Sequence, residues 1–431
     1  MTEYIRRELQ TKIEKLFDGQ RKNGVILAGI VGCGKTTLIT ELLKSLKKQY
    51  EIFTFSGDDT SFRASVALDS KYIFNHIFSR TQKKSLVFVD EVQKTAEAFD
   101  ALKYAFDHGN ISFIVSGSNP HFLNTTAKQR LQRRAEFINV LPFSLPELIQ
   151  HYYQVDMESC SRNFSNILFD ETSCRVDNLT LTLTKEITRL IDRYLAFGGL
   201  PLAVLAKSDH EALSEIRKVV ERGFESFRED AEDKGDIIRI ELAKIHAKEF
   251  SYKTIFNKTG LKKRDVVNAV VNNLINHGYL TSKKPMFFDS DKRSYLSVFS
   301  YTDTGVLSYL LGHASIDENL GGRVEGFIHT RLKYLLSFLP LKSQLGYFKP
   351  HVIDASQKTR YLSSEIDFVV TVGRRIVPIE VKATFDISKI EVPTLKNFVD
   401  KHRLPYGIVL YGGVPFCDKQ RKIIFWPYWL V

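Results

Sequence analysis

The feature that most constrains this chain is an eight-residue segment, Gly29 to Thr36, which reads GIVGCGKT. It has the pattern GxxxxGK[ST] and lies between an apolar run at 24–28 and a segment of helical periodicity at 37–43. Glycines in such a loop let successive N–H groups turn toward phosphates, and the next helix brings the positive end of its dipole to the same point. The segment therefore predicts a phosphate-binding loop between a buried strand and a helix, within an α/β domain built on a parallel sheet.

The side chains of this loop predict how it binds a nucleotide. Lys35 is placed to reach the β- and γ-phosphates, and Thr36 to hold Mg²⁺. The loop contacts phosphates and not the base, so its residues do not separate ATP from GTP. The residues predicted to bind nucleotide are Gly29, Gly32, Cys33, Gly34, Lys35, Thr36 and Thr37.

A second apolar strand, at 85–89, ends in two carboxylates, Asp90 and Glu91. A strand without polar alternation is buried on both faces, as in a parallel sheet, and ligands bind at the carboxyl ends of such strands. We expect Asp90 to complete the Mg²⁺ shell and Glu91 to polarise the attacking water. The alternative is an ordinary strand followed by an acidic helix cap.

Two further segments supply polar and basic candidates. The apolar run at 111–115 ends in small polar residues that include Ser118 and Asn119, although such residues are common at any strand end. A basic cluster then spans 130–134. One of its arginines could contact the γ-phosphate, in cis or across a subunit interface, or the cluster could be a solvated helix face.

Length and charge set the frame. The chain has 431 residues, 43% of them hydrophobic, which predicts two to four globular domains. Its net charge of +11 is concentrated partly between residues 253 and 293, so nucleic acid, and DNA above all, is the leading predicted partner. We expect boundaries that divide the chain into an ATPase domain at 1–150, a helical lid or connector at 151–235, a winged helix at 236–312 and a nuclease-like domain at 313–431.

Cysteine usage and hydropathy bear on the compartment. The four cysteines, Cys33, Cys160, Cys174 and Cys417, lack metal-ligand spacing and predict reduced thiols. No run approaches the roughly 20 apolar residues that span a bilayer, and the N-terminus has no apolar signal region. We therefore expect a soluble cytoplasmic protein with no membrane partner.

A helix-turn-helix pattern occupies residues 251–274, and strand patterns follow it at 278–282 and 295–299. Together they predict a winged helix. Lys262, Lys263 and Arg264, at the start of the second helix, are the predicted DNA contacts. The alternative is a winged helix that only packs against protein.

The C-terminal region carries acidic residues and a lysine at informative spacing. Asp367 lies on one strand of a predicted hairpin, and Glu380 and Lys382 share a face of the next strand because side chains two residues apart point the same way. Such a group fits Mg²⁺-dependent phosphodiester cleavage, with the two carboxylates holding the ion and Lys382 orienting water or stabilising charge. This is the D…ExK pattern of the PD-(D/E)xK nucleases, in which Glu325, on a predicted helix, would be the further acidic ligand.

Taken together, the segments at 29–36, 88–93, 115–118, 141–144, 198–201, 301–307 and 379–382 resemble the bacterial and archaeal AAA-type ATPases that carry a C-terminal nuclease-like domain of unknown function. The resemblance covers nearly the whole chain. It implies an AAA-type core, a winged helix and a restriction-endonuclease-like domain, and it favours ATP as the nucleotide. It also implies that Ser118 or Asn119 senses the γ-phosphate and that Arg134, where the family commonly has a Gly-Arg pair, is the arginine finger.

Three functions remain open from the sequence. The first is an ATPase coupled to DNA binding and DNA cleavage, in genome defence or mobile-element biology. The second is an ATP-driven switch or scaffold in which the nuclease-like domain does not cut. The third is a signalling ATPase resembling the STAND group, which would assemble into a homo-oligomer when ATP binds.

Overall fold

The computed structural model describes residues 4–19, 21–153, 164–168, 183–225, 232–261, 265–288, 296–339, 341–353, 359–361 and 365–431. Lys262, Lys263 and Arg264, together with Cys160 and Cys174, lie outside these residues. Within the described ranges, Cys33 is a free buried thiol but Cys417 is disulfide-bonded. The prediction of four reduced thiols is therefore wrong at Cys417, because spacing along a chain does not show which sulfur atoms the fold brings together.

The N-terminal region is a parallel sheet of five strands in the order β2-β3-β4-β1-β5, with helices on both faces. Every residue of β1 is buried, as expected for a central strand in a sheet covered on both sides. The strands are β1 (Gly24–Ala28), β2 (Glu51–Ser56), β3 (Ser85–Asp90), β4 (Ile111–Gly117) and β5 (Ala135–Asn139). The helices are α1 (Glu8–Phe17), α2 (Lys35–Leu46), α3 (Thr60–Leu68), α4 (Tyr72–Phe78), α5 (Glu97–His108) and α6 (Pro120–Arg130).

A run of helices follows this sheet. Ser144 begins the run with a capping box: its backbone N–H donates to Glu147 Oε2 at 2.8 Å, and the Glu147 N–H donates to Ser144 Oγ at 3.3 Å. The helices are α7 (Leu145–Tyr153), α8 (164–168), α9 (Lys185–Phe197), α10 (Pro201–Val204), α11 (Asp209–Glu225) and α12 (Glu232–Lys244). Helix α7 crosses residue 150, so the predicted boundary there falls inside a helix.

Helices and strands lie in the region where the sequence predicted them, and their interpretation as a winged helix stays a prediction. A left-handed glycine, Gly260 at φ 61°, ends the first helix, and a second helix begins at Asp265. The helices are α13 (Tyr252–Thr259), α14 (Asp265–Asn276) and α15 (Thr304–Leu311), and the strands are β6 (Glu249–Phe250), β7 (Leu280–Pro285) and β8 (Ser297–Tyr301).

One sheet of nine strands joins these elements to the C-terminal region, in the order β15-β16-β14-β13-β12-β9-β7-β8-β6. Strand β7 pairs in parallel with β9, with Lys284 opposite Gly346, so the sheet continues across the boundary predicted at residue 312. The strands are β9 (Ser343–Phe348), β12 (Ile366–Val372), β13 (Arg375–Val381), β14 (Gly407–Tyr411), β15 (Phe416–Asp418) and β16 (Ile423–Pro427), with β10 (His351–Ile353) and β11 (Thr359–Tyr361) as a separate pair. The helices are α16 (Leu320–Ser337) and α17 (Pro393–Lys401).

Buried polar residues form hydrogen bonds between the helical run and the region that follows it. Arg323 of α16 is fully buried, and its Nη1 donates to the carbonyl of Leu195 at 2.9 Å and to Ser308 Oγ at 2.8 Å. Asp303, the N-cap of α15, accepts the N–H of Gly199 at 2.8 Å and that of Gly305 at 2.9 Å. The segments at 198–201 and 301–307 that seemed separate in the sequence therefore form one junction.

Candidate functional site

The phosphate loop lies between β1 and α2, as predicted. Gly32 and Gly34 have φ of 76° and 90°, left-handed values that side chains rarely adopt. Lys35 is the first residue of α2 and is buried, and its ammonium donates to the carbonyls of Gly29 at 2.8 Å and Ile30 at 3.0 Å. The ammonium therefore points back into the loop, toward the place where phosphates would lie.

Residues from outside the parallel sheet close over this loop. Arg7, which is buried and which the sequence did not single out, donates to the Cys33 carbonyl at 3.1 Å and pairs with Glu147 at 3.0 Å. A Cβ added at Gly34 would lie 3.1 Å from Pro201, and one added at Gly32 would lie 2.8 Å from Val219. The turn at 198–201 therefore packs the helical run and also contacts the phosphate loop.

The two predicted carboxylates lie at the carboxyl end of β3, beside the end of β4. Asp90 Oδ1 accepts hydrogen bonds from the Ser116 hydroxyl and, at 2.9 Å, from the Glu91 N–H. Glu91 has a left-handed φ of 44°, which is uncommon for a residue with a side chain. Strands β3, β4 and β1 are parallel neighbours in the sheet. The carboxylates that follow β3 and the phosphate loop that follows β1 therefore lie at the same end of the strands.

Gln93 completes this group, and the sequence analysis missed it. Its Nε2 donates to Glu91 Oε2 and, at 3.1 Å, to Ser118 Oγ, which itself lies 3.4 Å from Glu91 Oε2. Gly117 makes room for it, since a Cβ there would lie 2.1 Å from Gln93 Oε1. The sequence signal was a polar residue two positions after Glu91.

Asn119, the other candidate at this strand end, has a different use. Its Oδ1 accepts the Phe122 N–H at 3.0 Å as the N-cap of α6, and its Nδ2 donates to His277 Nε2 at 3.2 Å. Ser118 is therefore the residue that the fold places beside Glu91.

Arg134 lies at the opposite edge of the sheet from the phosphate loop. It precedes β5, whose first residue is in register with Gly24 at the start of β1, so about 15 Å of strand separates the two places. Its guanidinium forms a bidentate pair with Asp107, at 2.7 and 2.9 Å. At that distance Arg134 does not contact a nucleotide bound to the loop of its own chain. The sequence could not predict this, because it does not show at which end of the sheet the basic cluster lies. A contact across a subunit interface stays a prediction.

The C-terminal candidates are close to one another. Glu325 lies on α16, Asp367 at the start of β12 and Glu380 near the end of β13. Lys382 Nζ donates to Glu380 Oε1 at 2.8 Å, and the Val381 N–H donates to Asp367 Oδ2 at 2.7 Å. Glu380 Oε2 is buried and has no hydrogen-bond partner among the described residues.

Burial dominates the electrostatics of this group. It raises the pKa of Asp367 to about 7, with the Glu325 carboxylate adding to the increase, and raises the pKa of Glu380 to about 7, with Asp367 adding to it. It also raises the pKa of Glu325, although a lysine from β7, Lys283, opposes that increase. The Lys283 ammonium donates to Glu325 Oε1 and, at 2.7 Å, to the Asp367 carbonyl, and the sequence analysis had placed this residue only in a basic segment.

These carboxylates do not form a ready metal centre. Across the described ranges, no three His, Cys, Asp or Glu side chains are arranged to hold a metal ion. Glu325, Asp367 and Glu380 are thus not arranged as a set of three ligands around one ion, and a site formed by Asp367 and Glu380 alone stays a prediction. Hydrogen-bond donors occupy one oxygen of each carboxylate, and sequence spacing could not show that Lys283 reaches them from another segment.

Comparisons with known proteins give matches in two separate parts of the chain. A family model described as an AAA domain matches residues 21–149, and the model of a domain of unknown function, DUF4143, matches residues 321–431. The uncharacterized protein MJ1637 of Methanocaldococcus jannaschii is 24% identical over 278 residues, which cover 61% of this chain and 57% of that protein. The chain thus matches little more than half of that relative's length.

Some solved structures show a weaker likeness. The Aeropyrum pernix ORC1 protein in complex with DNA is 11% identical, with a TM-score of 0.30 over 72% of this chain and 93% of that one. Cdc6p from Pyrobaculum aerophilum is 12% identical, with a TM-score of 0.31 over 72% and 97% of the two chains. Overlaps of this size carry nothing from those proteins to this one.

Within the described helices, none is long and apolar enough to cross a membrane. The C-terminal match names no activity, so the nuclease-like interpretation stays a prediction. The match of residues 21–149 to the AAA domain, together with the loop geometry and the parallel sheet, supports an AAA-type ATPase domain in the N-terminal part of this chain.

Proposed function

We propose that this chain is a Mg²⁺-dependent ATPase that works as an ATP-driven switch, with DNA bound by its C-terminal half. The observation that carries the proposal is the hydrogen-bonded group of Asp90, Glu91, Gln93 and Ser118 at the sheet edge that also holds the phosphate loop. Hydrolysis needs a base, a metal-binding carboxylate and a lysine at one place, and this edge supplies all three.

Lys35 is ready to exchange its partners. It donates to two backbone carbonyls of the loop. A triphosphate offers charged oxygens instead, which add the attraction between opposite charges to each hydrogen bond. Lys35 would therefore turn from the loop to the β- and γ-phosphates.

The residues near the loop fit Mg²⁺. Both hydrogen bonds to Asp90 fall on Oδ1, which leaves Oδ2 for a cation, and the Thr36 hydroxyl at the start of α2 is a second oxygen ligand of the kind Mg²⁺ prefers. When bound, the ion neutralises charge on the phosphates. ATP rather than GTP is proposed from the family resemblance.

Glu91 is the proposed base. Gln93 and Ser118 both contact its Oε2, which leaves Oε1 to take the proton of the attacking water. A residue held this way keeps one orientation without giving up its free oxygen. Gln93 is thus a positioning residue for Glu91.

The switch is supported by what lies against the loop. Pro201 and Val219, from the helical run, contact the two left-handed glycines. The same turn is tied through Asp303 to α15, which packs near the C-terminal half. Phosphates entering the loop would therefore change the packing of the helical run. If the chain forms a homo-oligomer, Arg134 is the residue we propose to reach a neighbour's nucleotide.

The test is Glu91→Gln, measured for ATP binding and for steady-state turnover. We expect ATP affinity within about threefold of wild type and turnover lower by at least about 100-fold, because general bases contribute at that level. Glu136→Gln, an exposed site on β5, is the matched control and should keep full turnover. Unimpaired turnover in Glu91→Gln would remove Glu91 as the base.

DNA binding is tested through the three basic residues that precede Asp265 in the sequence. Replacing Lys262, Lys263 and Arg264 by Ala should weaken DNA affinity and reduce the salt slope by up to about 3, since each lost phosphate contact removes about 0.9. Replacing three exposed lysines of the ATPase domain, Lys47, Lys48 and Lys83, is the control. An unchanged slope in the first variant would move the contact elsewhere.

Metal-dependent DNA cleavage is the second candidate function. The observation in its favour is the unpartnered, buried Glu380 Oε2 close to Asp367 and Lys382. Plasmid and single-stranded DNA, with Mg²⁺ or Mn²⁺ and with or without ATP, would be compared for wild type and Glu380→Ala/Lys382→Ala. Cutting that is lost in the double variant supports cleavage, and no cutting with intact ATPase activity leaves the switch alone.

A further inference from the structure

A lysine from outside the C-terminal segment enters the carboxylate group there. Lys283 lies on β7, 42 residues before Glu325 in the chain, and it is only 2% exposed. Its ammonium contacts Glu325 Oε1 and the Asp367 carbonyl, and it lies 4.0 Å from the centre of the Phe368 ring. Backbone, carboxylate and aromatic ring thus enclose one positive charge.

The sheet holds Lys283 in this position. Strand β7 is paired on both sides, with β8 and with β9, so its register is fixed. Lys284, the next residue, points to the other face and is exposed, as side-chain alternation along a strand requires. Lys283 is therefore directed inward by the pairing of β7, and its position does not depend on a flexible side chain finding a partner.

The buried ammonium and the buried carboxylates each need a partner of opposite charge. An isolated buried ammonium costs several kcal/mol, and so do carboxylates that face one another without a cation. Lys283 and Lys382 each bind one carboxylate of the group, and the Val381 N–H binds the third. The two lysines thus bring two positive charges to three carboxylates, and one of these charges, that of Lys283, lies between Glu325 and the backbone of Asp367.

We propose that the Lys283 ammonium takes the place of a divalent cation in the carboxylate group of Glu325, Asp367 and Glu380, so that this site excludes metal while β7 keeps its present position. The proposal concerns the C-terminal half and does not depend on ATP hydrolysis. It bears on the second candidate function, because a site filled by Lys283 does not cleave DNA in this arrangement.

The experiment measures Mn²⁺ binding by isothermal titration to the full chain without nucleotide. Every variant carries Asp90→Asn, so that the phosphate-loop region does not contribute. The test variants are Lys283→Met, which keeps an unbranched apolar side chain but removes the ammonium, and Lys283→Gln. Lys284→Gln is the matched control, because it removes a lysine from the exposed face of the same strand.

We expect the Asp90→Asn parent and Lys284→Gln to show no Mn²⁺ binding that depends on Asp367. Lys283→Met should bind Mn²⁺ at least about tenfold more tightly, since removing a cation from a carboxylate group favours another cation. Adding Asp367→Asn to Lys283→Met should abolish that gain. Binding by Lys283→Met no tighter than by the parent overturns the proposal.

A second measurement covers the case in which Lys283→Met does not fold. Mn²⁺ should raise the thermal unfolding midpoint of Lys283→Gln and leave that of the parent unchanged. Mn²⁺ binding by the Asp90→Asn parent also tests the proposal, independently of the Lys283 variants. If it binds Mn²⁺ and loses that binding with Asp367→Asn, Lys283 does not exclude metal and the proposal is wrong.

Discussion

The phosphate loop and the C-terminal carboxylate group each contain a buried lysine, but the two lysines have different partners. Lys35 donates to the carbonyls of Gly29 and Ile30, which are neutral. Lys283 donates to the carboxylate of Glu325, which is charged, and to one carbonyl. The first lysine gains a stronger acceptor when an anion arrives, whereas the second already has one.

This difference explains why similar residues support different conclusions. In the ATPase domain, Asp90 keeps one carboxylate oxygen without a hydrogen bond, and the base Glu91 is held by neutral donors. In the C-terminal half, each acidic residue also has a donor at one oxygen, but two of these donors are the charged ammonium groups of Lys283 and Lys382. The two sites therefore differ in the charge of the donors that already contact their carboxylates.

The largest expected effect contrasts the two lysines in nucleotide binding. Lys35→Ala should weaken ATP affinity by about 100- to 1000-fold, because it removes a charged donor to the phosphates. Lys283→Met should leave ATP affinity within about twofold of wild type. Titration with a fluorescent ATP analogue measures both, and retained binding in Lys35→Ala would contradict the role of the phosphate loop.

The next prediction tests how much the ion pair between Lys283 and Glu325 contributes to stability. Glu325→Leu should destabilise the C-terminal half by roughly 3–5 kcal/mol, because it leaves a buried ammonium without its charged partner. Glu325→Gln, which keeps an acceptor, should cost less. Both tryptophans of the chain, Trp426 and Trp429, are buried in this half, so their fluorescence follows its unfolding in urea. Exposed Glu391→Leu is the control, and an equal loss there would contradict the buried pair.

Asp303 is a buried carboxylate at the junction of the segments 198–201 and 301–307, and among the described residues only backbone N–H groups donate to it. Burial raises its pKa to about 6, above an unfolded value near 3.9. The native state therefore binds the proton more tightly, so this contribution to stability is complete below about pH 4 and is lost as pH rises through 6. Two pKa units correspond to about 3 kcal/mol. Asp303→Asn should flatten this part of the pH dependence, measured by urea unfolding from pH 4 to 7, and an unchanged slope would contradict the assignment.

A smaller effect tests the positioning of Glu91. Gln93→Leu should lower turnover by about tenfold, or about 1.4 kcal/mol, with ATP affinity unchanged, because Glu91 loses a donor that fixes its orientation. Gly117→Ala should act in the same direction, since its Cβ would displace Gln93. Steady-state kinetics separate the two parameters. Turnover equal to wild type in Gln93→Leu would show that Ser118 alone suffices.

The smallest expected effect is that of Arg134→Ala in the single chain. The Arg134–Asp107 pair is partly exposed, so its loss should change stability by at most about 1 kcal/mol. Turnover at low protein concentration should equal that of wild type. If Arg134 reaches a neighbouring nucleotide, the variant should fall behind only at concentrations where the chain assembles, and equal turnover at every concentration would exclude that role.

Much of the N-terminal site was predictable because its signals are local. The phosphate loop, Asp90 and Glu91 each follow a strand that a run of apolar residues identifies, and parallel strands bring their carboxyl ends to one edge. Gln93 was missed because its contact with Ser118 joins residues 25 positions apart. The position of Arg134 was open because a basic cluster carries no information about which end of the sheet it occupies.

The sequence by itself determined the strands, the loop between them and the acidic residues at their ends, since these depend on hydrophobic periodicity and on short motifs. Only the tertiary structure decided which charges meet. It paired β7 with β9. On one face of β7, the Thr281 hydroxyl accepts a hydrogen bond from the Lys333 ammonium at 2.9 Å. These two residues and Gly29 line a cavity of about 140 Å³. Two residues after Thr281 on that strand, the tertiary structure placed Lys283 among the carboxylates. Strand pairing between distant segments sets such contacts, and the spacing of residues within either segment does not record them.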